Sequence, residues 1–190
     1  MKMANYTNVA WGITGAGDKL SHIFDIMKKI REEYEKKINI KVYLSKAGYQ
    51  VVRYYNIEDD LKKNFFPLQV EKDANSPFLA GALQLRKFNF LLVAPASSNT
   101  VAKILLGIAD TLLSNAAIMA LKAFIPVYVL PSDCNEGIIM TELPDGKVLK
   151  LRVRKEDAEN ARKLTKIEGV HVLRCPEEIP NVFRTHFDIV

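Results

Sequence analysis

The chain has 190 residues, of which 48% are hydrophobic and 26% charged, which excludes a disordered tail and suits one compact domain with a sizeable core. Lysine and arginine number 27 against 22 acidic residues, giving a net charge of +5. That balance permits an acidic partner without choosing among nucleic acid, phosphate and protein.

The first apolar run is Val9 to Ile13, which enters Thr14-Gly15-Ala16-Gly17. It reads as a short buried strand ending in a glycine turn. From Asp18 to Lys37 the period changes. Leu20, Ile23, Phe24, Met27, Ile30 and Tyr34 recur at steps of three and four, one apolar helical face, with Asp18 as its expected cap. The opposite side, including Lys28, Lys29, Arg31 and Lys36, reads as a solvated face. Asn39 to Leu44 alternates as a second strand, and Ser45 to Gly48 reads as a turn. Residues 56–78 show no clear period and predict an irregular stretch with short elements.

Phe90 to Ala94 is a continuous apolar run before Pro95, the signature of a central parallel strand. A helix is predicted after Thr100, with Gly107 interrupting or ending it. A second helix is predicted over Leu112 to Lys122, and Val127 to Leu130 forms another strand. This alternation of strands and helices predicts a doubly wound parallel α/β sheet. The tail departs from that pattern. Ile138 to Leu143 and Lys147 to Val153 flank Pro144-Asp145-Gly146, a turn signal, and predict a β-hairpin. Residues 156–168 predict an amphipathic helix stopped by Gly169, followed by a strand at Val170 to Leu173.

Cys134 and Cys175 are the two cysteines, and neither belongs to a metal-binding spacing, so reduced thiols are expected. The start of the chain lacks a targeting pattern and no stretch reaches a membrane span, which predicts a cytoplasmic protein without a membrane partner. Basic residues are not interleaved with a nucleic-acid motif, so no nucleic-acid partner is expected.

Two loops stand where chemistry is expected. The glycine loop lies between a strand and a helix, where free N–H groups can meet an anion. Gly12, Gly15 and Gly17 do not give the GxGxxG spacing, so the dinucleotide fingerprint is absent. The second loop, Pro95 to Thr100, offers the hydroxyls of Ser97, Ser98 and Thr100 and the amide of Asn99. In doubly wound sheets this carboxyl edge is where ligands bind. Ser45 lies on the same edge. Trp11 reads as core, Cys134 as a passive thiol and His22 as a surface residue. Tyr49, Arg53, Tyr54 and Tyr55 are candidates to cover a bound cofactor.

Ile13-Thr14-Gly15-Ala16, together with Ala94 to Ala116 (APASSNTVAKILLGIADTLLSNA), resembles the superfamily of homo-oligomeric flavin-containing cysteine decarboxylases. The resemblance implies a flavodoxin-like, Rossmann-type fold that binds FMN. It implies one domain over 1–190, with a core of about 8–132 and a hairpin-and-helix appendage over 133–190. The implied FMN contacts are Thr14, Gly15, Ala16 and Gly17; Ser45, near the phosphate; Ala96, Ser97, Ser98, Asn99 and Thr100; and Ser132. Homo-oligomers built on trimers, with FMN near a subunit interface, are also implied.

The departures narrow the branch. The decarboxylases carry a catalytic His before the second motif, where this chain has Ser76-Pro77-Phe78. Their PxMNxxMW segment is replaced after Pro131 by Ser132-Asp133-Cys134-Asn135-Glu136. The prenyltransferases' Arg is replaced by Ser132. What remains resembles the archaeal flavoprotein or dihydromethanopterin reductase-like branch. That branch implies electron transfer from a ferredoxin-like acidic donor to a soluble acceptor, with a pterin such as dihydromethanopterin as one option. The alternatives are a flavin prenyltransferase-like enzyme and a non-catalytic flavin carrier. No side chain is assigned as an obligate acid or base, because the flavin carries the chemistry. Finally, Lys147 to Arg174 holds nine basic and four acidic residues, an excess equal to that of the whole chain. This basic appendage is expected to steer the donor.

Overall fold

The computed structural model describes residues 7–35 and 37–187. The N-terminal segment read for targeting signals, Lys36 in the charged run and residues 188–190 lie outside the described residues. In chain order the elements are β1 (Thr7–Ile13), α1 (Leu20–Glu33), β2 (Ile38–Leu44), α2 (Lys46–Tyr54), α3 (Glu58–Phe65), β3 (Gln69–Val70), α4 (Leu79–Gln84) and β4 (Leu91–Ala96). They continue with α5 (Ser98–Leu106), α6 (Leu112–Lys122), β5 (Val127–Pro131), β6 (Gly137–Glu142), β7 (Val148–Val153), α7 (Lys155–Leu164), β8 (Val170–Val172) and α8 (Ile179–Phe187).

Six parallel strands form one sheet in the order β3-β2-β1-β4-β5-β8. This is a flavodoxin-like, doubly wound α/β fold, and the chain reverses its direction of growth between β1 and β4. Such a switch point leaves a crevice at the carboxyl ends of the strands. Every residue of β4 is buried, because helices cover both faces of the sheet.

The period of two sorts β1 between the two layers. Val9, Trp11 and Ile13 pack with α1, α3 and α8 through Phe24, Met27, Phe65 and Phe183. Ala10 packs on the other side with α4, α5, α6 and α7 through Leu83, Ile104, Ala116 and Leu164. Gly12 faces the same side, where an added Cβ would meet the Leu113 side chain at 2.7 Å. The register between β4 and β5 shifts between Val93 and Ala96, around Pro95, which cannot donate to the ladder.

The hairpin forms as predicted, with β6 and β7 antiparallel and Gly146 at φ 80 in its turn. Gly107 ends α5 in the left-handed conformation at φ 72. Other expectations need correcting. Asp18 does not cap α1: the cap position is Lys19, left-handed at φ 59 and without a side-chain cap bond, and Asp18 instead lies 3.7 Å from the Lys19 ammonium. Residues 46–54, read as a turn and its exit, form α2. Gly48 hid that helix, yet it is required there, since a Cβ would come within 2.3 Å of the Ile13 carbonyl oxygen. The stretch without a clear period does contain short elements, α3 and β3, as expected, and α4 follows it. The sequence reading placed no element after β8, where α8 buries Ile179, Val182 and Phe183.

Candidate functional site

The crevice is built from the ends of β1, β2, β4 and β5. Thr14 is buried where β1 ends. Its backbone N–H and its hydroxyl both donate to the Pro95 carbonyl, at 3.2 and 2.8 Å. The same hydroxyl accepts from the Ser97 N–H at 2.7 Å. One side chain therefore ties the two strands flanking the switch point and fixes both loops relative to each other. Beyond it Gly15 is exposed, Ala16 is buried and Gly17 is half-buried. A Cβ on Gly15 would meet Ala47 Cβ at 2.7 Å, and one on Gly17 would meet the Tyr55 ring at 2.5 Å. Both positions require glycine, because Ala47 and Tyr55 fill the space a side chain would take.

Ser45 and Ser97 occupy equivalent places after β2 and β4. Each caps the next helix: Ser45 Oγ accepts from the Gly48 N–H at 2.9 Å, and Ser97 Oγ from the Thr100 N–H at 3.4 Å. Ser97 Oγ also shares a 3.2 Å hydrogen bond with Thr100 Oγ1. Ser98 Oγ donates to the Asp133 carboxylate, which also accepts from Ser132 Oγ at 3.1 Å. The Ser132 N–H donates to the carbonyl of Ala96 at 2.9 Å, closing the β4 and β5 ends together. Asn99 is exposed at the rim. The residues singled out from the sequence thus lie on one sheet edge.

Sequence reasoning missed Asp133 and Glu71. Glu71 accepts from the Lys46 N–H and the Leu112 N–H, at 2.9 Å each, so one carboxylate serves the starts of α2 and α6. Asp133 follows a residue already singled out; nothing in the sequence marks Glu71, which lies in the stretch without a clear period.

The remaining candidates separate clearly. Trp11 is fully buried, donates from Nε1 to the Ala94 carbonyl at 2.7 Å and stands edge-on to Phe65, so it is core. Burial pushes the Cys134 thiol pKa up, which suits a passive thiol, and both cysteines are free. His22 pairs with Glu177 at the surface at 2.8 Å. Tyr49 donates to Glu58 at 2.8 Å and Tyr54 is exposed, whereas Tyr55 lies against Gly17.

The donor set is hydroxyls and backbone N–H groups at helix starts. The first turns of α1, α2 and α5 carry no acidic residue. That chemistry suits a phosphate-bearing, oxygen-rich cofactor. Fold and site together define a cofactor-binding α/β protein of the doubly wound class. The chain belongs to the Flavoprotein family, which it matches over residues 1–185.

It is 45% identical over 181 residues to an uncharacterized protein of Methanocaldococcus jannaschii, covering 95% of this chain and 96% of that one. It is 32% identical over 235 aligned positions to a dihydromethanopterin reductase (acceptor) of the same organism, covering 92% and 95%. Those positions outnumber the residues of this chain, so that relative carries a stretch absent here. Among solved structures, Burkholderia xenovorans DmrB in complex with FMN, a cubic protein cage for redox transfer, superposes with a TM-score of 0.81 at 26% identity over 98% of both chains.

Proposed function

We propose that this protein is an FMN-binding redox flavoprotein that takes electrons from a ferredoxin-like acidic carrier and passes them to a soluble acceptor of the pterin class. The observation that carries the reading is the Thr14 tie, which brings the glycine loop and the capped start of α5 together at the switch point. Gly15, Ala16 and Gly17 would lie against the cofactor, and Ser45, Ala96, Ser97, Ser98, Asn99, Thr100 and Ser132 would surround its polar parts. FMN, when bound, supplies the site that accepts and releases electrons. The chain's own residues fix and orient it.

The family, the dihydromethanopterin reductase relative and the DmrB complex support this reading. A homo-oligomer is part of the proposal. Phe66, Phe78 and Phe124 are 81%, 66% and 83% exposed, and large apolar side chains left in water favour contact with further copies. No helix among the described residues is long and apolar enough to cross a membrane.

The test is to purify the protein, record its absorption spectrum, reduce it anaerobically with ferredoxin and add dihydromethanopterin. A yellow protein bleached by ferredoxin and reoxidised by the pterin supports the reading. A flavin that ferredoxin leaves oxidised contradicts the donor, and a reduced flavin that the pterin leaves unchanged contradicts the acceptor.

A further inference from the structure

A cavity of about 600 Å³ opens between β2 and α4. Another, of about 450 Å³, shares Lys41, Tyr43 and Phe78 with it. Both volumes are within the range of small-molecule sites.

The strand register explains the floor. Lys41 pairs with Ala10 and Tyr43 with Gly12, which puts both on the face that α4 packs against. That helix has six residues, too few to cover the amino half of β1 and β2. There the apolar pattern gives way to Asn8, Asn39 and Lys41, with Asn39 donating to Asn8 at 3.1 Å.

An uncovered sheet face is polar simply because it is wet, but two observations go beyond that. The first is charge of one sign. Lys41, Arg86 and Lys87 line the larger cavity, and among the described residues no carboxylate lines either one. The carboxyl end of α4 gives Arg86 and Lys87 a local role. Lys41 instead comes from the sheet, and its ammonium lies 5.8 Å from the centre of the Phe88 ring, which lines the same cavity. The second observation is aromatic. Phe78 is 66% exposed, yet its ring is seated: its far end lies over Gly81, where an added Cβ would meet it at 2.0 Å. Tyr43 and Phe88 meet edge-on at 6.1 Å and complete the aromatic lining. Burial pushes the Tyr43 phenol up to about 12, so it stays a neutral hydroxyl.

We infer that this cavity binds a small molecule joining a flat ring to an anionic group, such as a nucleoside monophosphate or an aromatic carboxylate, with the ring against Phe78 and the anion held by Lys41 and Arg86. A seated ring and a one-signed charge each recognise one half of such a ligand. Thr7, Asn8 and Asn89, which precede or begin β1 and β4, line the cavity, so it extends towards the end of the sheet opposite the Thr14 loops. The inference therefore does not rest on the flavin reading.

Calorimetric titration of the FMN-loaded protein, in the assembly as purified, tests it with AMP and with 1-naphthoate. Saturable binding of at least one is expected, and the probe that binds tells a nucleotide from an aromatic acid. Adenosine and inorganic phosphate, each half of AMP, are expected to bind at least tenfold more weakly than the better probe. Lys41→Met and Phe78→Ala should each weaken binding about tenfold, the first by losing a charge-assisted contact and the second by losing stacking. Their unfolding temperatures and FMN content should not change, since both side chains are exposed. Lys41→Arg keeps the charge and is expected to retain binding. The inference is overturned if neither AMP nor naphthoate binds, if phosphate binds as tightly as AMP, or if K41M or F78A binds as tightly as the wild type. It is also overturned if FMN loading abolishes binding seen in the flavin-free protein, which would make the cavity part of the flavin's own site. A protein that takes up no FMN but binds the probes through Lys41 and Phe78 would overturn the flavin reading and support this one.

Discussion

The carboxyl edge of the sheet and the hairpin are opposite solutions to using a surface. At the edge, polar side chains are small and committed: Thr14, Ser45 and Ser97 each satisfy backbone groups of a neighbouring element. The hairpin leaves Ile138, Met140 and Val148 at 62%, 62% and 56% exposure and sets Lys150 and Arg152 among them. The first region is preorganised, so binding there does not have to order its donors. The second is a surface whose apolar and basic groups are left for something else to meet.

Changes at the edge should therefore cost stability and cofactor together, whereas changes to the hairpin's exposed charges should cost rate alone. The largest effect is expected for Gly48→Ala. Alanine gains about 1 kcal/mol of helix propensity. The new Cβ, however, meets the Ile13 carbonyl at 2.3 Å, which only a backbone shift relieves. A net loss of about 2 kcal/mol is expected by chemical denaturation, with weaker retention of flavin.

Thr14→Val comes next. It leaves the Ser97 N–H without its acceptor and is expected to cost about 1–2 kcal/mol and to loosen both loops, read as a lower unfolding temperature and faster flavin release.

Charge reversal at Lys150 and Arg152 is expected to slow ferredoxin-driven reduction about tenfold at low salt, with little change at high salt and none in unfolding temperature. The structure refines which charges to choose. Arg154 is held by Asp157 at 2.6 and 2.8 Å, and Lys155 stands 3.8 Å from Glu159, so part of the basic excess is spent within α7. Unchanged reduction by the double reversal would remove the steering role.

The smallest effect concerns α8, whose His186 shares a 2.9 Å hydrogen bond with Tyr128. Burial, and the neighbouring His171, hold the His186 pKa below its ordinary value. The unfolded chain then binds a proton that the folded chain resists, so stability falls as pH drops below about 6.5, the unfolded histidine value. A pH series of unfolding temperatures should show that acid-side loss, and His186→Leu should flatten it.

How far the sequence reached follows the same division. Strands buried on both faces, such as β4, write themselves as unbroken apolar runs, and the loops after them could be placed without coordinates. The Gly107 stop is local chemistry and was legible for that reason. What escaped depends on distant partners. Gly48 looks like a helix breaker until the Ile13 carbonyl is beside it. Glu71 is an ordinary surface carboxylate until two helix starts converge on it. Asp18 was a reasonable cap by residue type, but the chain turns through Lys19 instead.

The central claim is that the switch-point edge holds FMN because Thr14 locks its two loops together. Titrating FMN into flavin-free protein, followed by quenching of flavin fluorescence, tests it most directly when wild type and Thr14→Val are compared at a temperature where both remain folded. The account predicts one FMN per chain for the wild type and binding at least tenfold weaker for the variant. No uptake by the wild type, or equal affinity in the two proteins, would contradict it.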